Sequence, residues 1–240
     1  MAIFLKAKWE NIIMANYAVP AEVLQPFLPK GVALDEYKDK AYVSLVGFMF
    51  KNTRLFNIPI PRLGTFEEVN LRFYVLRKEG DTMKRGVVFV NETIPYKAVA
   101  WMANKLYKEH YTAIPTKHAW RFTDSTKHIN YQWKMNNKWN SIKVEASTIT
   151  EAMKTDSFEA FIFEHYYGYT KINAAATEEY KINHPSWKIN EVLNTVIDCD
   201  FAAMYGKPFE FLNTAVPDSV FIAEGSSIKV EWKRNRLNLQ

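Results

Sequence analysis

The chain has 240 residues, 31 basic and 26 acidic side chains, a formal net charge of +5 and a single cysteine, Cys199. That length suits one large domain or two small ones. The charge is too slight and scattered for a dedicated nucleic-acid surface, and one cysteine excludes an internal disulfide or a Cys-based metal cluster. Aromatic content is high at 15%, which favours strands and a large core. No apolar segment approaches the ~18 residues that span a bilayer, and the first apolar run, Ala2–Leu5, is too short for a signal peptide. The expectation is a cytoplasmic protein with neither a membrane nor a nucleic-acid partner.

Residues 9–18 read as an opening strand or short helix. Pro20–Gln25 reads as a short helix with Pro at its first position, stopped by Pro26 and Pro29. Residues 32–34 and 41–50 read as a strand pair about the polar turn 36–40. The second of these is apolar on both faces and should be covered on both sides. Pro59, Pro61 and Gly64 favour a loop over 51–64, which carries Arg54. In the next stretch, 65–75, Glu68, Asn70 and Arg72 alternate with Val69, Leu71, Phe73 and Val75. Side chains two apart on a strand share a face. One face is therefore a packing row and the other a line of carboxylate, amide and guanidinium. Looking into a closed barrel, that line is a ligand site; looking at water, it is an ordinary amphipathic strand whose ion pair adds little. Gly86–Val90 supplies the hairpin partner.

Tyr96–Lys108 reads as a helix, with Val99, Met102, Ala103 and Leu106 at helical spacing. Residues 119–149 are mostly strand, turning at Asn136-Asn137-Lys138. The basic run Lys127–Lys143, interleaved with Tyr131, Trp133 and Trp139, fits a hairpin with one wet face better than a base-stacking platform. Asp156-x-x-Glu159 resembles a capping box before a helix carrying Phe158, Phe161, Ile162 and His165. Residues 166–173 and 177–183 read as a strand pair broken at His184-Pro185. Residues 190–206 read as helical or irregular, and 220–223 with 228–232 as a closing hairpin. With no repeat and no linker, this is one domain over 1–240. Its class is α+β, mainly β: a closed or nearly closed antiparallel barrel with a few short helices.

None of the five histidines, 110, 118, 128, 165 and 184, forms His-x-His or His-x-x-x-His, so no metal is expected. There is no Gly-x-Ser-x-Gly, no phosphate-cradling loop and no dinucleotide fingerprint, so no cofactor is expected either. Glu109-His110-Tyr111 and Glu164-His165-Tyr166 repeat one triplet behind the two helices, where such residues are common. Cys199 lies between two aspartates that raise a thiol pKa, which suits an inert thiol.

An ordered set of motifs carries a resemblance. Leu28-Pro-Lys-Gly31, the 41–50 strand, Arg54, Phe66-x-Glu68-x-Asn70-x-Arg72-x-Tyr74-Val75, Gly86-Val-x-Phe89, Leu106-Tyr-Lys-x-x-Tyr111, Phe163-Glu-x-Tyr166 and His184-Pro-x-Trp187 follow one another. Together they resemble the YqjF-like uncharacterised family of the acetoacetate decarboxylase-like superfamily, over roughly residues 9–235. The resemblance implies a cone-shaped barrel of curved antiparallel sheets with a polar-lined cavity, into which a strand glutamate corresponding to Glu68 points. In the decarboxylases, a lysine after the short helix forms a Schiff base with a β-keto acid, which requires an amine of depressed pKa. Where they read Gly-x-Pro-Lys-Lys, this chain has Lys108-Glu-His-Tyr111-Thr112, and an arginine expected earlier in the helix is Asn104. A phenol forms no imine, so Schiff-base decarboxylation is not expected.

Two readings remain open. In one, the barrel binds a small acidic or carbonyl-bearing molecule. Arg72 or Arg54 holds its charge, and Glu68, Asn70, Tyr111, Glu164 and His184 form the polar lining, with or without catalysis. In the other, aromatics fill the cavity and the protein is a non-catalytic interaction module. Either is compatible with a homo-oligomer.

Overall fold

Long runs of β-branched and aromatic residues form unusually long strands in the computed structural model, which describes residues 2–232 and 234–238. Ile3–Val19 (β1) is a single strand of 17 residues, not the short element expected over 9–18. Helix α1 (Ala21–Leu24) follows, and a 3-10 turn over Gln25–Phe27 carries the chain through Pro26. β2 (Ala33–Leu34) pairs with β5 (Phe66–Glu79) and not with β3 (Ala41–Leu55), so the expected hairpin over 32–50 does not form. β3 continues to Leu55, through the first third of the expected 51–64 loop, and folds back only as the short β4 (Ile58–Pro59).

β6 (Thr82–Ile94) pairs with β5 as expected, and helix α2 covers Lys97–Tyr107. β7 (Tyr111–Ala113), β8 (Thr116–Phe122), β9 (Thr126–Met135) and β10 (Lys138–Ala152) come next. The cap of α3 (Phe158–Phe163) is Ser157, whose hydroxyl accepts from the Ala160 amide at 3.2 Å. Asp156 stands one residue outside with φ +60°, so the expected capping box is displaced by one position. β11 (Tyr167–Asn173) and β12 (Ala176–Asn183) form the expected pair. The region read as helical or irregular holds β13 (Lys188–Asp198) before the short α4 (Phe201–Tyr205). Its polar Asn190, Glu191 and Asn194 dilute the alternation, and antiparallel pairing with β10 decides the conformation.

The last strands, β14 (Ser219–Ala223), β15 (Ser227–Glu231) and β16 (Asn235–Asn238), correct another expectation. β14 and β15 do not pair with each other; they flank β1 on successive halves of its length. The cause lies at Asn11, with φ +49°, where the register of β1 on β3 shifts. The segment joining β14 to β15 crosses β1 at that kink. The Trp9 amide bonds to Ser226 O and the Asn11 amide to Glu224 O. Gly225 makes the crossing feasible, because a Cβ there would lie 2.1 Å from Trp9 O.

The sheet closes. Its order runs β3-β5-β6-β11-β12-β15-β1, and β1 pairs with β3 to complete the ring. Pairing is not wholly antiparallel, since β7 and β11 both run parallel to β6. A second arm, β14-β13-β10-β9-β8, leaves the ring at β1 and folds over its outer face. Two cores result. Val69, Leu71, Phe73 and Val75 pack outward with Ile129, Tyr131, Trp133 and Ile142 of the arm. Phe66, Tyr74, Phe48, Met14 and the α3 residues Phe161, Ile162 and Phe163 pack inside the ring. The arm explains why β5 is buried on both faces. It also buries the alternate residues of the basic run, Lys127 included. Among the described residues, no helix is long and apolar enough to cross a membrane.

Candidate functional site

The inward face of β5 carries Phe66, Glu68, Asn70, Arg72 and Tyr74. Glu68 and Asn70 are buried at 3% and 2% exposure. Asn70 donates from Nδ2 to Glu68 Oε1 at 3.0 Å. Opposite Asn70 in register stands Glu92 of β6, and opposite Glu92 across the parallel pairing stands Tyr111 of β7. Three strand positions side by side thus bring an amide, a carboxyl and a phenol together. The Tyr111 hydroxyl donates to Glu68 Oε2 at 3.4 Å. Arg72 is anchored by Ile162 O at 3.3 Å and Met14 Sδ at 3.4 Å, with its Nε buried and unpartnered.

Tyr111 is held by its main chain. Asn104 of α2 donates to Tyr111 O at 2.8 Å and accepts from Tyr111 N at 2.7 Å. The asparagine that replaces the expected arginine therefore fixes where the phenol enters. Helix α2 ends at Lys108 in the left-handed conformation, φ 55°, which turns Glu109 inward. Glu109 accepts from Thr170 Oγ1 at 2.9 Å and faces Arg234 at 3.8 Å. Tyr180 closes that end. Its ring lies over Gly168, its register partner on β11, where a Cβ would come within 2.2 Å of the ring.

These groups line one cavity of about 150 Å³. Its walls are mainly apolar, including Trp9, Phe48, Phe50, Phe66, Phe89 and Trp187. Burial dominates the electrostatics. Desolvation pushes Glu68 up to about 7, and the Glu109 charge adds to this against the hydrogen bonds from Asn70 and Tyr111. Glu109 is likewise raised to about 7, chiefly by burial and against Arg234. Glu92 is raised well above the ordinary range by burial, then by Glu68 and Glu109. The same burial and the same three carboxyls raise Tyr111, so the phenol keeps its proton. The floor is a set of proton-holding acids in an apolar shell.

Of the residues singled out from sequence, Glu68, Asn70, Arg72 and Tyr111 converge on this cavity. Arg54, Glu164 and His184 are not among its lining residues. Arg54 is exposed on the β3–β4 hairpin. Glu164 lies outside the ring, accepting from Tyr166 and from Ser186 at 2.7 Å. His184 stacks on Trp187, with ring centroids 4.2 Å apart, behind the cavity wall. Sequence reasoning missed Glu92, Glu109, Tyr180 and Arg234. Two of them carried a signal: Glu92 as a lone carboxylate late in an apolar strand, and Glu109 in the first Glu-His-Tyr triplet. Among the described residues, no lysine lines the cavity, and no three metal-ligating side chains are grouped as a metal site. Cys199 is buried beneath α4, its thiol raised by burial and then by Asp200 and Asp198.

The closed ring has the acetoacetate decarboxylase-like fold. Acetoacetate decarboxylase from Legionella pneumophila superposes with a TM-score of 0.65 at 10% identity, over 95% of this chain and 85% of that one. An acetoacetate decarboxylase-like enzyme from Sphingomonas wittichii RW1 gives 0.63 at 10%, over 100% and 95%. The enduracididine biosynthesis enzyme MppR, solved with pyruvate, gives 0.64 at 8%, over 98% and 90%. Identities this low establish the fold alone.

Within that fold the chain belongs to the family DUF2071, described as an uncharacterized conserved protein (COG2071), which matches residues 6–227. It is also 33% identical over 75 residues to the uncharacterized protein YqjF of Bacillus subtilis (strain 168); that stretch is 31% of each chain.

Proposed function

We propose that the cavity binds a small acidic or carbonyl-bearing molecule and that Glu68 and Tyr111 exchange hydrogen bonds or protons with it. The observation that carries this reading is the convergence of Glu68, Asn70, Arg72 and Tyr111 on one cavity with open space. Arg72, whose Nε is buried without an acceptor, is the donor for a carboxylate or carbonyl oxygen. Tyr111 keeps its proton, and Glu68 titrates near neutrality. Glu68 therefore suits proton transfer near pH 7, with Tyr111 as a fixed hydrogen-bond donor beside it. The pyruvate found in MppR is a ligand of this chemical kind in a barrel of the same fold.

Schiff-base decarboxylation is not part of the proposal. Tyr111 stands where the lysine is expected. The lysine with a lowered pKa, Lys127 at about 8, lies on the outer arm and bonds Asn11. Incubation with a β-keto acid and borohydride should leave every lysine unmodified, and a mass shift on any lysine would overturn this exclusion.

Binding itself is tested by thermal shift against pyruvate and small carboxylic acids, on wild type and Glu68→Gln. Stabilisation that grows with ligand concentration is expected for wild type and should be reduced in the variant. No shift across the series would return the interaction-module reading to favour.

A further inference from the structure

We infer that the Asn70–Glu92 end of this cavity takes a protonated amine, so that the ligand carries an ammonium group beside its carboxylate or carbonyl. The inference rests on the binding reading above and adds the other half of the ligand.

Asn70 and Glu92 face each other in register across β5 and β6, and they are 2% and 4% exposed. The Asn70 amide is oriented by its bond from Nδ2 to Glu68, which leaves Oδ1 as an acceptor. Oδ1 has no donor, and neither has Glu92 Oε2. Tyr111 brings one proton to a site with two carboxyls, Glu68 and Glu92, so it cannot satisfy both. Once Glu68 and Glu92 ionise, the cavity floor is short of donors, and buried acceptors without donors are costly. An ammonium brings three N–H donors and one positive charge to such a place. Phe48, Phe66 and Trp9 line the same space, and aromatic rings attract cations. Two residues along β5, Arg72 has the reverse shortage: an N–H without an acceptor. Two strand residues span about 7 Å. That separation suits a chain of four methylenes between the amine and the carboxylate. A cavity of this size accepts a molecule of roughly benzene's bulk or a little more.

The raised carboxyl pKa values give the binding event a sign. An ammonium arriving at Glu92 and Glu68 favours their ionised forms, so protons leave; a carboxylate arriving alone draws protons in. Valerate, pentylamine and 5-aminovalerate form a matched set for calorimetry in two buffers of different ionisation enthalpy. The expected result is that 5-aminovalerate binds at least about tenfold more tightly than valerate, with net proton release. In Glu92→Gln, whose side-chain amide can donate to Asn70 Oδ1, the ratio of the two affinities should fall towards one. Should the variant fail to fold, the sign of the proton linkage in wild type still decides. Equal affinity for valerate and 5-aminovalerate, or proton uptake with both, overturns the inference and leaves the acid-binding reading intact. Binding of pentylamine and 5-aminovalerate with valerate inert sustains the ammonium end and overturns the acid reading. No binding by any of the three overturns both.

Discussion

The triplet Glu-His-Tyr occurs twice, each time directly behind a helix, and the two copies do opposite things. In the first, Glu109 and Tyr111 point into the cavity while His110 is exposed. In the second, His165 is buried, its Nε2 donating to Asp35 at 3.0 Å, with Arg85 on the same carboxylate at 2.6 Å. There Glu164 and Tyr166 lie outside and bond to each other. The difference is one residue of phase. Helix α2 ends at Lys108, before its triplet; α3 ends at Glu164, the triplet's first member. Both chains then join β6 in parallel, but one starts pairing at Tyr111 and the other at Tyr167. In extended chain, a shift of one residue exchanges the faces. One copy therefore supplies acids to a cavity and the other locks a core.

The lock should be the more costly to break. Asp35→Ala leaves His165 buried without its acceptor and Arg85 without its partner. A loss of about 3 kcal/mol in unfolding free energy is expected. Ligand affinity, measured below the lowered midpoint, should be unchanged. A loss below about 1 kcal/mol would show that the second triplet is not a lock.

The lock and the cavity that the first copy lines should also respond to pH with opposite signs. Burial holds His165 down at about 4, against Asp35, whose hydrogen bond raises it. The folded pKa is below the unfolded value, so this contribution is complete above about pH 6.5 and is lost as pH falls towards 4. The loss should reach about 2 kcal/mol by pH 5. His165→Gln should flatten that acid limb in denaturant titrations. Glu68 behaves in reverse. Its folded pKa is raised, so its burial penalty is full above about 7 and disappears as pH falls to about 4.5. Relative to wild type, Glu68→Gln should gain about 2 kcal/mol between pH 5 and pH 8. If both variants move the profile in the same direction, the proposed division between lock and cavity is wrong.

The inward and outward faces of β5 were legible in sequence because alternation within a strand is a local property. So were the Tyr111 substitution and the closed-ring class, which the ordered motifs carried. Glu109 was visible as a residue yet not as a site. Which face it takes depends on Lys108 adopting φ 55°, and nothing in a lysine announces a left-handed cap. Arg54, Glu164 and His184 have the right chemistry and stand near the right motifs. Their exclusion follows from pairings distant in sequence: β3 with β4, α3 against the ring, and the stack on Trp187. The crossing of β1 by the 224–227 segment reads as a hairpin for the same reason, since the kink at Asn11 that splits β1 lies over two hundred residues earlier.

The smallest expected effect separates the two tyrosines. Tyr111→Phe removes a long hydrogen bond, 3.4 Å to Glu68, so its cost should stay below about 1 kcal/mol. Tyr166→Phe, which removes a half-exposed contact with Glu164, should cost a few tenths of that unit. Stability alone hardly distinguishes them, but titration does. The Tyr111 bond is one of the interactions holding Glu68 down against desolvation. Its removal should move the Glu68 carboxyl further up, followed by carboxyl-carbon NMR across pH 5 to 9. Tyr166→Phe should leave that titration where it is, because Tyr166 bonds Glu164 outside the cavity. A Glu68 titration that ignores Tyr111→Phe, or follows Tyr166→Phe equally, would mean that the phenol of the first triplet is a wall of the cavity and not part of its acid cluster.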